Sequence, residues 1–253
     1  MSRGIRQGTR TPVGEGWGMS GRHLSRKFES ELENLRRRIL ALGELVIAAI
    51  AKASSTLESG EEGPALEVIA GDQQVNALEV EVDELCLTMI ALYQPTATDL
   101  RFITTAMKIT TTLERIGDLA VNICRYSLEL LRESKGAMDL EAPLTMAQQV
   151  QDILRDSLKA FIDWDIDLAL ATARRDKGID RLYKANIWDA VSRMYGQELG
   201  IMNNIMRTFM VTKFLERIGD HAVHICEMVV FMVKGQIIRH QKATLDYLDE
   251  EFH

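Results

Sequence analysis

Leu113-Glu114-Arg115-Ile116-Gly117-Asp118-Leu119-Ala120-Val121-Asn122-Ile123-Cys124 returns as Leu215-Glu216-Arg217-Ile218-Gly219-Asp220-His221-Ala222-Val223-His224-Ile225-Cys226. Ten of the twelve positions are identical at an offset of 102 residues, so the chain carries an internal repeat. The surroundings of the first copy read as one long helix. At 100° per residue, Phe102, Ala106, Ile109, Leu113, Ile116, Ala120, Cys124, Leu128 and Leu131 gather on one apolar face roughly 120° wide. Glu114, Asp118 and Asn122 fall on the other side, facing away from the core of their own bundle. The preceding helix repeats too: Asp72-x-x-x-Asn76 answers Asp176-x-x-x-Asp180 at an offset of 104. The reading is all-α, two three-helix bundles in tandem.

Breakers set the boundaries. Helices are expected at 24–58, 65–92, 97–134, 144–162, 166–195 and 198–234. Pro64 stands where a helix start tolerates proline, and Pro95 divides the second helix from the third. Asp163 or Asp165 can cap the fifth, Tyr195-Gly196 precedes the sixth, and Gly136 and Gly235 end the third and sixth. Residues 1–22, with six glycines and no apolar period, read as a flexible N-terminal arm. The bundles then span 23–136 and 137–235, with 236–253 as a C-terminal tail.

Composition narrows the function classes. The 253 residues are 46% hydrophobic and 26% charged, which fits a folded domain rather than a disordered chain. A net charge of −7 and 6% aromatics disfavour a nucleic-acid binder. The longest pure apolar runs, Leu45–Ala51 and Met228–Val233, are far shorter than a bilayer crossing, so no transmembrane helix is expected. Cys86, Cys124 and Cys226 form no C-x-x-C pair and no even disulfide set, so they read as core residues in a reducing cytoplasm.

The repeated acids carry the chemistry. Residues i and i+4 share a helix face, and like charges there repel. Glu114 with Asp118, and Glu216 with Asp220, are two such pairs. Asp72, Asn76, Glu79 and Asp83 form a further stripe on the second helix. Where such stripes meet, oxygen-rich sites suit magnesium, manganese, calcium or iron, and His224, replacing Asn122, shifts the second site toward iron or zinc. Gly117 and Gly219 each cost about 1 kcal/mol inside a helix, so a close helix approach or room for a ligand is expected beside them.

The paired Leu-Glu-Arg-Ile-Gly-Asp motifs, Gln94-Pro95-x-Ala97-x-Asp99-Leu100-Arg101 and Arg26-x-Phe28-x-x-Glu31-Leu32 together resemble the PhoU family over about residues 20–240. The resemblance implies two three-helix bundles related by a pseudo-twofold axis. It implies a non-enzymatic negative regulator of the phosphate-starvation response. Such a regulator would link an ABC phosphate transporter ATPase to a sensor histidine kinase, reach the membrane through those partners, and form a homodimer. It also implies surface metal sites at Glu114/Asp118, Asp176/Asp180 and Glu216/Asp220, with Asp72/Asn76 departing from the acidic pattern. Two alternatives stand beside this reading. One is an adaptor that works without metal. The other is a carboxylate-bridged di-metal enzyme, which the lack of internal Glu-x-x-His pairs disfavours.

Overall fold

The computed structural model describes residues 17–133 and 139–236. Six helices account for nearly all of them: α1 (Trp17–Ser59), α2 (Gly63–Tyr93), α3 (Ala97–Glu133), α4 (Glu141–Asp163), α5 (Ile166–Met194) and α6 (Leu199–Lys234). No strand occurs among the described residues. The expected arm boundary at residue 22 needs correction, because α1 already begins at Trp17. Gly18 and Gly21 are each a penalty of only about 1 kcal/mol, which a 43-residue helix absorbs. Residues 1–16, Gly136 and residues 237–253, on which other boundary expectations fell, lie outside the described residues.

The helix ends follow local chemistry. Pro64 occupies the first turn of α2. Asp165 caps α5, its carboxylate accepting the Leu168 N–H at 2.8 Å. Gly235 closes α6 at φ +72°, the left-handed conformation that glycine adopts without a Cβ clash. Short turns make consecutive helices neighbours, so α1, α2 and α3 pack together, as do α4, α5 and α6.

Two junctions join the halves, α3 on α6 and α1 on α4. Along the first, Arg101 Nε donates to the Met232 carbonyl at 3.0 Å, and Tyr126 lies 5.6 Å from Phe214, centroid to centroid. Further along, Arg207 bonds Glu129 at 3.1 Å. Rising numbers on α3 meet falling numbers on α6, so the helices run antiparallel and the two copies of the repeat face each other about a pseudo-twofold axis. At the second junction, Leu158 Cδ1 fills the space that a side chain at Gly43 would take.

One continuous core runs through both halves, from Leu35 and Ile39 of α1 to Val229 and Met232 of α6. Helix α3 is buried more widely than the single expected face, because it packs against α1, α2 and α6 at once. Ile103, Leu119, Val121, Ile123 and Leu130 are its additional buried apolar side chains. Within α1, the segment Arg26–Ser59 is long and apolar enough, by length and composition, to cross a membrane. Its Leu35, Ile39, Leu42, Val46 and Ile50 are fully enclosed in the bundle, while 39% of the most apolar 18-residue window is buried. All three cysteines are buried, and burial pushes each thiol up to about 12, so they act as inert packing groups.

Candidate functional site

The repeat places its acids on two equivalent seams, one between α2 and α3, the other between α5 and α6. In the first, Glu114 feels the negative charges of Asp118, Glu79 and Asp72. Burial, then Asp118, Glu79 and Asp72, hold its carboxyl above the ordinary 4.5, with Arg115 opposing. In the second, burial, then Asp220 and Asp180, raise Glu216 in the same way, with Arg217 and Lys213 opposing. Two separate sites therefore show the same signature: a half-buried glutamate crowded by carboxylates from its own helix and its neighbour.

The motif glycines explain how the helices come so close. A methyl group at Gly117 would stand 3.2 Å from Val75 Cγ1. A methyl group at Gly219 would stand 3.2 Å from Ile179 Cδ1 and 2.7 Å from Asp176 Oδ1. Val75 and Ile179 are equivalent at the offset of 104, so the same knob enters the same notch in both halves. In the second half a carboxylate oxygen enters too. Of the two expectations for these glycines, the close approach is what the packing displays.

Several expected ligands are placed differently. Asn76 Nδ2 reaches Asp72 Oδ2 at 3.5 Å, a long contact within the α2 stripe. Asn122 Oδ1 accepts from Arg125 at 3.3 Å, and His224 Nδ1 lies 3.1 Å from Glu227, so both engage the next turn of their own helix. His221 is partly enclosed. Burial, followed by Arg217, Arg115 and His224, lowers its pKa and favours the neutral ring. Among the described residues, no three or more His, Cys, Asp and Glu side chains stand already gathered around one point. The seams offer oxygen donors suited to a hard divalent ion, but the side chains are not preassembled around one.

Two more residues complete the seams, one from the expected α2 stripe and one that the stripes did not include. Glu79 acts on Glu114 directly. Tyr183 takes the place of Glu79 in the second half, at the offset of 104, and stacks on Phe209 at 5.8 Å. Burial and the charge of Glu216 raise its phenol, so it faces the second acidic group. Extending the offset past Asp180 would have found it.

Asp83, the end of the α2 stripe, stands apart. Its Oδ1 is buried with no hydrogen-bond partner, and burial raises its carboxyl above the ordinary range. A raised folded-state value means Asp83 supports the fold at low pH and weakens it as pH rises through that value. Asp83→Asn is expected to raise the melting temperature at pH 7 by about 1–3 °C, allowing for solvent screening, and to leave it unchanged at pH 3. Scanning calorimetry at both pH values checks this, and a drop at pH 7 would contradict it.

The comparisons with known proteins agree with this architecture. The model of the PhoU domain matches twice, at residues 39–127 and 144–229, one match per bundle. A phosphate-specific transport system accessory protein PhoU homolog of Pseudomonas putida is 38% identical over 218 residues, covering 86% of this chain and 85% of that protein. The PhoU accessory protein of Escherichia coli strain K12 is 34% identical, covering 87% of this chain and 90% of its own length. The crystal structure of PhoU from Pseudomonas aeruginosa superposes with a TM-score of 0.79 at 36% identity, over 83% of this chain and all of that one. That of the phosphate transport system regulatory protein PhoU from Streptococcus pneumoniae gives 0.76 at 29% identity, over 83% and 98%. With both bundles matched by the family model and relatives 34–38% identical over most of their length, the chain belongs to the PhoU family.

Proposed function

We propose that the chain is a cytoplasmic, non-enzymatic negative regulator of the phosphate-starvation response. It acts as an adaptor between the ATPase of an ABC phosphate transporter and a membrane sensor histidine kinase, and works as a homodimer. The observation carrying this reading is the twofold acidic seam, in a chain whose relatives are named accessory proteins of the phosphate-specific transport system. Homodimerisation and the kinase link follow from the family resemblance.

Metal is part of the proposal. Asp72, Glu79, Glu114 and Asp118 would hold one ion, and Asp176, Asp180, Glu216 and Asp220 another. A bound magnesium, manganese, iron or zinc ion supplies positive charge that relieves the carboxylate repulsion. The chain's own contribution is to hold those oxygens across two helices, so that occupancy cross-links α2 to α3 and α5 to α6.

The test is a clean deletion in the host, read with a phosphate-starvation reporter in phosphate-rich medium. The reporter is expected to reach the level of starved wild-type cells, and the intact chain to silence it. A Glu114→Ala/Glu216→Ala chain is expected to accumulate normally yet leave the reporter on. If that variant silences it fully, the adaptor works without metal. If the deletion leaves the reporter silent, the regulatory reading fails.

A further inference from the structure

Between α4 and α5, on the far side of α5 from its acids, a cleft of about 280 Å³ is lined by Arg174, Arg175, Arg181, Gly178, Gln149 and Asp152. At 100° per residue, Arg174, Gly178 and Arg181 fall within about 60° of one another, and Asp176 and Asp180 on roughly the opposite face. Asp152, a lining carboxylate, is bonded by Arg155 at 2.8 Å and by Gln148 at 3.2 Å. Arg175 is paired with Asp156 of α4, which ties the rim of the cleft. Arg181 Nε donates to the Lys177 carbonyl at 3.1 Å. In a chain of net charge −7, this is a local concentration of guanidinium groups.

Two further observations separate this cleft from an ordinary solvated helix face. The first is the repeat. At the offset of 104, Arg174, Arg175, Gly178 and Arg181 replace Ala70, Gly71, Gln74 and Ala77. The same fold is built on α2 without any of these arginines, so the bundle does not require them. The second is Gly178. A glycine inside a helix carries a propensity cost, and Gly117 and Gly219 offset theirs by close packing. Gly178 does not, its nearest neighbour being Gln149 Oε1, 3.8 Å from where a Cβ would stand, and Gly71 of α2 is likewise unpacked. What the missing side chain leaves is an open floor between Arg174 and Arg181.

We infer that this cleft binds an oligophosphate, an anion with two or more linked phosphoryl groups. Guanidinium forks match phosphate oxygens bidentately. Arg174 and Arg181 start about 10 Å apart along the helix, a spacing that fits a short phosphoanhydride chain better than one orthophosphate. The chain would lie over Gly178, with Arg175 at the rim. This site is independent of the acidic seams and of the regulatory reading.

Isothermal titration of the full-length, chelator-treated chain with tripolyphosphate, ATP and orthophosphate tests the assignment. Tripolyphosphate and ATP are expected to bind at least about tenfold more tightly than orthophosphate, each arginine being worth roughly a tenfold change. Similar values for tripolyphosphate and ATP mean the phosphate chain alone is read. A tighter value for ATP adds nucleotide recognition to the same site. Arg174→Ala/Arg181→Ala is expected to weaken tripolyphosphate by about 100-fold, and Arg37→Ala, at an exposed arginine on α1, by less than about twofold. Gly178→Gln installs the residue of the first copy. It should raise the melting temperature while weakening binding, a pair of effects that misfolding cannot produce. The inference is overturned by no saturable heat at millimolar tripolyphosphate. Orthophosphate binding as tightly, ATP binding without tripolyphosphate, or an equal loss in Arg37→Ala would each overturn it as well.

Discussion

Phe102→Ala is expected to destabilise the chain by about 4 kcal/mol, within the range of about 3–5 kcal/mol for buried aromatic truncations. Phe102 belongs to α3 but serves the junction between the halves. Its ring stacks on Phe161 of α4 at 5.2 Å and 4°, and on Trp164 just beyond α4 at 5.4 Å and 12°. The Arg36 guanidinium of α1 sits 5.2 Å from the ring centroid. Three residues lose a partner at once, and each aromatic contact adds about 0.5–1.5 kcal/mol beyond area burial. Trp164 also holds a left-handed backbone at φ 58°, uncommon outside glycine, where its N–H donates to the Ala160 carbonyl and its ring joins the stack. Phe102→Leu keeps most of the volume and is expected to recover about half the loss. Urea denaturation reads both variants, with the midpoint falling and the slope unchanged. A loss below about 1 kcal/mol would mean the halves are not joined through this stack.

The same experiment bears on cooperativity. The core is one cluster across both bundles, so melting is expected to remain a single transition rather than two.

Much of this architecture was legible in the residues, for identifiable reasons. The repeat made the two bundles visible because two copies of one helix motif must occupy equivalent environments. Turn chemistry at Pro64, Asp165 and Gly235 placed helix ends within a residue or two, because those preferences are local. What escaped was non-local. Periodicity on α3 located the face toward its own bundle, but Leu119 and Ile123, on the side of Tyr126 that meets Phe214, are buried as well because α3 also packs against α6. His224 and Asn122 lie on the expected helices, yet each finds a partner one turn away, a choice of rotamer that spacing does not encode. Tyr183 was hidden because it breaks the acidic pattern.

Glu114→Gln/Glu216→Gln is expected to reverse its stability order with the wild type when metal is added. Without metal, the double variant should be the more stable at pH 7. Each substitution removes an i,i+4 like-charge pair worth about 0.2–0.5 kcal/mol. The sign agrees with the raised carboxyls: a group whose folded-state pKa exceeds its unfolded value supports the fold below that range and weakens it above. With manganese at about 100 times its dissociation constant, the wild type should gain about 2.7 kcal/mol per saturated site. That corresponds to a rise of about 5–10 °C per site for a chain of this size. The variant, lacking the central carboxylate of each seam, should gain little, so the curves cross. Ligands must be deprotonated to bind metal, so the wild-type rise should shrink between pH 7 and pH 5, sooner than for carboxyls of ordinary pKa. Calorimetry with and without manganese at both pH values reads all three effects. A rise of equal size in the variant would place the metal elsewhere, and no rise in the wild type would leave the acidic seams as contact surfaces for a basic partner.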